Sequence, residues 1–158
     1  MSDIKLERSD IKVLSKALEW HAMGERACLI TVIKTWGSSP RPIGAMMSIN
    51  INGMSIGSVS GGCIEEELLV SITNNFPESS SFLNYSSEEH KSLPCGGSVV
   101  LLVEPISDGR GWHEFLSKLK SFKNISRLIN RKNPNNNFIK ETEIIGELLN
   151  DNFIINYP

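Results

Sequence analysis

The sequence has 158 residues with a net charge of −2, 40% apolar and 22% charged residues, and three cysteines. That length buries roughly 70% of the unfolded chain's surface in one core, and the near-neutral charge removes the electrostatic case for a nucleic-acid or membrane partner. No stretch approaches the ~18 apolar residues of a membrane span, the first ten residues carry no signal-peptide core, and the cysteines do not make a disulfide framework, so a cytoplasmic protein with reduced thiols is expected.

From about Asp3 to Met23 the apolar positions Val13, Leu14, Ala17, Leu18 and Trp20 recur at helical spacing, which predicts a first helix with Gly24 as its C-cap. Ala27 to Thr35 is a nearly continuous β-branched apolar run, the pattern of a strand covered on both faces. Cys28 within it reads as a small buried hydrophobe. Two prolines and two glycines make Trp36 to Gly44 a loop, with Arg41 exposed on it. Met46 to Ile51 and Met54 to Ser60 read as a hairpin closed by a two-residue type I′ turn at Asn52-Gly53. The hairpin brings its outer ends together, so the Arg41 loop and the turn that follows Ser60 are expected to be neighbours.

Ile64 to Asn75 carries Ile64, Leu68, Leu69 and Ile72 at helical spacing, with Glu65, Glu66 and Glu67 in the first turn and Pro77 beyond its end. Ser81 to Tyr85 reads as a short strand. Leu93-Pro94-Cys95-Gly96-Gly97 is a second punctuated turn, leading into the apolar strand Ser98 to Glu104. Trp112 to Phe122 predicts an amphipathic helix, Ile125 to Ile129 a strand, Phe138-Ile139 an apolar fragment, Thr142 to Asn150 a helix and Phe153 to Tyr157 a last strand. The expected architecture is α/β, a layered single domain with a mixed β-sheet that contains one β-hairpin and is flanked by helices.

The chemistry-bearing stretch is Gly57-Ser-Val-Ser-Gly-Gly-Cys-Ile-Glu65. Paired glycines at a helix start offer backbone N–H groups and a partial positive charge, which suit an anion. The glycine spacing matches neither a dinucleotide fingerprint nor a P-loop. Cys63 at this turn reads as a nucleophile or a soft ligand; the helix N-terminus lowers a thiol pKa while three glutamates raise it, and the balance stays open. Cys95 likewise adjoins a Gly-Gly pair, but the two cysteines lie far apart without a C-x-x-C or a neighbouring His ligand, so a structural zinc site is disfavoured. His21, His90 and His113 share no spacing and read as solvated or core histidines. Glu65 reads as a helix start matched to the macrodipole, or as a ligand contact.

In Trp36-Gly-Ser-Ser-Pro-Arg-Pro-Ile-Gly-Ala-Met46, in Gly57 to Glu65, and in Leu93-Pro-Cys-Gly-Gly97 followed by a strand ending Glu104-Pro105, the chain resembles the XdhC/CoxI family of xanthine dehydrogenase and carbon monoxide dehydrogenase accessory proteins. The resemblance is best over residues 10–105. It implies a single XdhC/CoxI-like domain over residues 1–158, without the dinucleotide-binding-like C-terminal domain of longer members. It also implies a maturation chaperone rather than an enzyme: one that transiently binds molybdenum cofactor (molybdopterin), stabilises it, assists its sulfuration and passes it to a xanthine dehydrogenase-type molybdoenzyme. A homodimer and a cysteine desulfurase partner go with that role. Cys63, with Cys95 second, is expected near the molybdenum, and Arg41 with the Gly61-Gly62 backbone on the pterin phosphate. Ser60, Glu65, Gly96 and Gly97 complete the expected binding set, with no catalytic residue. Two alternatives remain open on the residues alone: a thiol-dependent sulfur-transfer or redox enzyme using Cys63, and a dimerisation domain for a nucleotide-binding partner.

Overall fold

The strand β1 (Ala27–Trp36) is apolar along most of its length because both its faces are covered, and it is buried from Ala27 to Ile33. The computed structural model describes residues 8–37, 41–62, 64–86, 97–108, 111–121, 124–140, 148–149 and 151–157. β1 is the central strand of a five-stranded sheet ordered β3-β2-β1-β5-β4, with β2 (Met46–Asn50), β3 (Ser55–Gly57), β4 (Ser81–Ser86) and β5 (Ser98–Pro105). A register shift interrupts the β1–β5 ladder between Val32 and Lys34.

Side-chain alternation divides the core in two. Ile30, Val32, Leu101 and Val103 face Leu68 and Ile72 of α2 (Glu65–Asn74). Leu29, Ile33, Val100 and Leu102 face the other way, towards α1 (Ser9–Ala22) and α3 (Trp112–Lys120). The same second core takes in Ile125, Ile129, Ile155 and Tyr157 from a four-stranded sheet ordered β7-β6-β9-β8. Its strands are β6 (Ile125–Asn130), β7 (Asn137–Lys140), β8 (Leu148–Leu149) and β9 (Asn152–Tyr157). No helix among the described residues is long and apolar enough to cross a membrane.

The α/β class, the flanking helices and the hairpin stand, while three local expectations are corrected. Instead of a mixed sheet there are two, and every pairing among the described residues is antiparallel. The reason is that α2 connects β3 to β4, which occupy opposite edges of their sheet, so the crossover joins strands that do not pair. The hairpin closes through three residues rather than two: Gly53 N–H donates to Asn50 O at 3.1 Å with Gly53 at φ +84°, and the Asn50 carboxamide accepts from Asn52 N and Met54 N. Asn50 pulls the turn one residue earlier than the Asn-Gly signal alone implies. Within the expected helix at Thr142 to Asn150, Leu148 and Leu149 instead pair with Phe153 and Asn152, and residues 141–147 lie outside the described residues. Two short apolar runs around Asp151 satisfy the antiparallel pattern better than one helical face.

A buried ion pair joins the two sheets. Glu104 of β5 is 0% exposed and Arg127 of β6 is 2% exposed, with Arg127 Nη2 donating to Glu104 Oε2 at 2.5 Å. The guanidinium also lies 5.4 Å from the Trp112 ring centroid and 5.1 Å from that of Phe115. Burial alone would depress the Arg127 pKa, but the adjacent Glu104 carboxylate holds it raised. Arg127→Met leaves a buried carboxylate uncompensated and is expected to destabilise the fold by about 3–5 kcal/mol in urea unfolding, whereas adding Glu104→Leu should restore most of the loss.

Candidate functional site at the Ser58–Glu65 turn

The strand ends that flank residues 37–45, 58–64 and 87–97 all lie at one end of the five-stranded sheet, where Trp36 pairs with Ser98 and Ser98 with Ser86. The first two of these segments touch, since Arg41 Nε donates to Ser58 O at 3.3 Å. Arg41's loop is fixed to β1 by Gly44 N–H to Val32 O at 2.8 Å and Val32 N–H to Ala45 O at 2.9 Å. Gly44 also packs so closely on β9 that a Cβ there would sit 3.1 Å from Ile155 Cγ2.

At the exit of β3 the chain must turn directly under its neighbours. Gly57 has φ +89°, and a Cβ on it would collide with Met46 O and lie 2.6 Å from Val13 Cγ2. Beyond it, residues 58–62 wrap around the carboxylate of Glu65, the first residue of α2. Ser58 Oγ donates to Oε2 at 2.6 Å, Val59 N at 2.8 Å and Ser60 N at 2.9 Å, while Gly62 N donates to Oε1 at 3.0 Å and Ser60 Oγ donates to Oε1 as well. Each hydroxyl accepts as it donates: Ser58 Oγ takes the Gly61 N–H at 2.9 Å and Ser60 Oγ the Ile64 N–H at 3.0 Å. Partial burial would raise the Glu65 pKa, but the Ser58 and Ser60 hydroxyls and the Ser60 and Val59 amides overcome it and hold it at about 2.

Glycine-rich N–H groups at a helix start do form an anion site here, and the anion is Glu65 itself. The Gly61 and Gly62 N–H groups expected on a phosphate are spent within the turn, and Glu65 faces its own loop. Sequence reasoning missed Ser58, whose hydroxyl and carbonyl connect Glu65, Gly61 and Arg41. The signal was present in Ser-Val-Ser-Gly-Gly, a run of donors whose nearest carboxylate is the first glutamate of the helix. Gly97 is buried just ahead of β5; Cys63, Cys95 and Gly96 lie outside the described residues. Cys28 is wholly buried, and burial pushes its thiol up to about 12 against a backbone hydrogen bond from Ile49. That makes it the inert apolar residue the strand pattern implied. His21 pairs with Asp108 at 2.8 Å on the surface, and the described residues hold no cluster of three His, Cys, Asp or Glu able to bind a metal.

The segment from the end of α1 to the end of α2, which builds both loops, is also where the chain meets known proteins. The profile of the XdhC and CoxI family matches residues 20–75. The XdhC/CoxI resemblance stands. Over 115 residues the chain is 29% identical to a protein of Escherichia coli named molybdenum cofactor insertion chaperone PaoD, covering 70% of this chain and 36% of that one. Over 96 residues it is 29% identical to a Bacillus subtilis protein named as a probable xanthine dehydrogenase subunit, covering 56% of this chain and 29% of that one. The fold superposes with a TM-score of 0.63 on a crystal structure described as a xanthine dehydrogenase from Bacillus halodurans, at 21% identity over 94% of this chain and 41% of that one. The chain thus spans about a third of the curated relatives it matches. The fold likeness reaches beyond the XdhC/CoxI segment, through the second sheet.

Two outcomes follow for the turn. Because the Glu65 pKa is lowered, its contribution to stability is complete above the ordinary value of 4.5 and is lost as pH falls towards about 2. Glu65→Gln should flatten that acid limb in pH-dependent thermal unfolding and cost about 2 kcal/mol at neutral pH, the loss expected for charge-assisted hydrogen bonds. Gly57→Ala, with both a positive φ and a backbone collision, should cost about 3 kcal/mol or more in denaturant unfolding.

Proposed function

We propose that the chain binds molybdenum cofactor as cargo and assists its insertion into a xanthine dehydrogenase-type hydroxylase. The observation that carries this reading is that the XdhC/CoxI match over residues 20–75 spans both the Arg41 loop and the Glu65-held turn. A relative named as a molybdenum cofactor insertion chaperone supports the cargo. In this reading Cys63 meets the molybdenum, with Cys95 as the second thiol and Arg41 as a further cationic contact to the cargo. Ser60, Gly61, Gly62 and Glu65 act one step back, setting the positions of Gly62 and Ile64 on either side of Cys63. Gly96 and Gly97, next to Cys95 in sequence, complete the proposed binding set. Stabilisation and sulfuration of the cargo, a cysteine desulfurase as sulfur donor and a homodimer belong to the same proposal, with no catalytic side chain assigned.

The test is to add cofactor released from a donor molybdoenzyme to the purified protein, desalt, quantify bound molybdenum and pterin, and then supply an apo-hydroxylase. The protein is expected to retain the cargo and activate the hydroxylase. Cys63→Ala and Arg41→Ala should each reduce retention roughly tenfold, the scale of one lost charge-assisted contact. Absence of retention by the unaltered protein overturns the reading, and full binding and activation by both Cys63→Ala and Cys95→Ala removes the thiols from it.

A further inference from the structure

On the α1/α3 side of the five-stranded sheet, a cleft of about 400 Å³ opens between the sheet and the second one. Its floor is the cross-strand row Lys34, Val100 and Asn84, and Arg131 and Phe153 lean over it from the second sheet. We propose that this cleft binds a flat heteroaromatic ligand carrying an anionic group, such as the phosphate-bearing pterin of the proposed cargo. The pterin identity rests on the preceding functional reading; the ligand class rests on the cleft.

Three features of the lining select that class. The first is exposed ring surface: Trp36 is 47% exposed at the cleft, while the other two tryptophans, Trp20 and Trp112, are buried. Phe82 and Phe153 are half-buried beside it, edge to face with centroids 5.6 Å apart. These rings offer faces on which a planar heterocycle stacks.

The second feature is uncompensated positive charge. Lys34 Nζ lies 4.9 Å from the Trp36 centroid and Arg131 Cζ 5.8 Å from that of Phe153, and neither cation has a carboxylate partner among the described residues. No acidic residue among the described residues lines the cleft, and the Asn84 carboxamide adds a donor and an acceptor for a heterocycle edge.

The third feature is contrast with the rest of the surface. Two other clefts of similar size carry Glu78, and the one beside Arg41 contains Asp10, paired with Arg8 at 2.7 Å. The Ser58–Glu65 turn has already supplied its own anion. Among these places, the interlayer cleft combines an exposed tryptophan with two cations and no acidic residue in its described lining, whereas the cleft that holds Arg26 over the buried Phe76 also carries Glu25 and Glu78. Its volume falls in the ordinary range for small-molecule sites, roughly 300–1,000 Å³.

The experiment titrates the purified protein with 6-hydroxymethylpterin monophosphate, its dephosphorylated form, AMP and GMP, reading pterin anisotropy and tryptophan emission. The pterin phosphate is expected to bind saturably and quench the exposed Trp36, with affinity about tenfold or more above the dephosphorylated form. Trp36→Leu should abolish the quench and weaken binding roughly tenfold. Arg131→Ala should weaken the phosphate form while leaving the dephosphorylated form unchanged. Tighter binding of AMP or GMP keeps the ligand class and assigns it to a nucleotide.

No saturable binding by any of the four, or unchanged binding in both variants, overturns the proposal. Cargo retention by the unaltered protein that persists in Trp36→Leu and Arg131→Ala overturns the cleft and leaves the chaperone reading standing. Pterin phosphate binding without cargo retention does the reverse.

Discussion

The docking of the two sheets depends on the Glu104–Arg127 pair. Both groups are sealed from water, and in any alternative register each would be a lone charge in a medium that cannot solvate it. The pair therefore contributes more to selecting one arrangement than to net stability. From that arrangement follows the position of β9 against β1, and from β9 follows the seat of Gly44, which anchors the Arg41 loop from below. A contact inside the core thus fixes the geometry of loops at the end of the sheet.

Those loops divide into a self-satisfied part and a part with unmatched charge. Around Glu65 three backbone N–H groups and two serine hydroxyls donate to one carboxylate, so the described part of the turn supplies its own anion. Between the layers, Lys34 and Arg131 rest on aromatic faces with no carboxylate opposite them among the described residues. The turn that supplies its own anion and the cleft that lines up two cations are therefore electrostatically opposite surfaces.

Much of this was legible in the residues. The both-sided burial of β1, the amphipathic helices, the inert Cys28 and the meeting of the Arg41 loop with the glycine turn follow from period, propensity and hairpin geometry. What escaped were interactions whose partners are far apart in sequence. Glu104 ends an apolar strand and Arg127 interrupts another, and neither shows that it is the other's counter-ion. Glycine pairs announced an anion without saying that it lay three residues ahead. The separation into two antiparallel sheets turned on which strands occupy edges, and local patterns do not carry that. The sequence resemblance faded beyond residue 105, yet the fold likeness spans nearly the whole chain, because a core tolerates exchange of its apolar residues as long as shape and volume persist.

The register shift in β1 has a consequence for how one strand serves two surfaces. Up to Val32 its side chains alternate strictly between the α2 core and the α1/α3 core. The unpaired Ile33 then adds half a period, so Ile33 and Lys34 fall on the same side, and every later position is inverted relative to the pattern before it. With an unbroken ladder Lys34 would be directed at the apolar layer under α2, and Trp36 with it. A single inserted position thus turns a strand that begins as pure interior into one that finishes as the wall of the interlayer cleft, with its aromatic and cationic ends delivered to the same side.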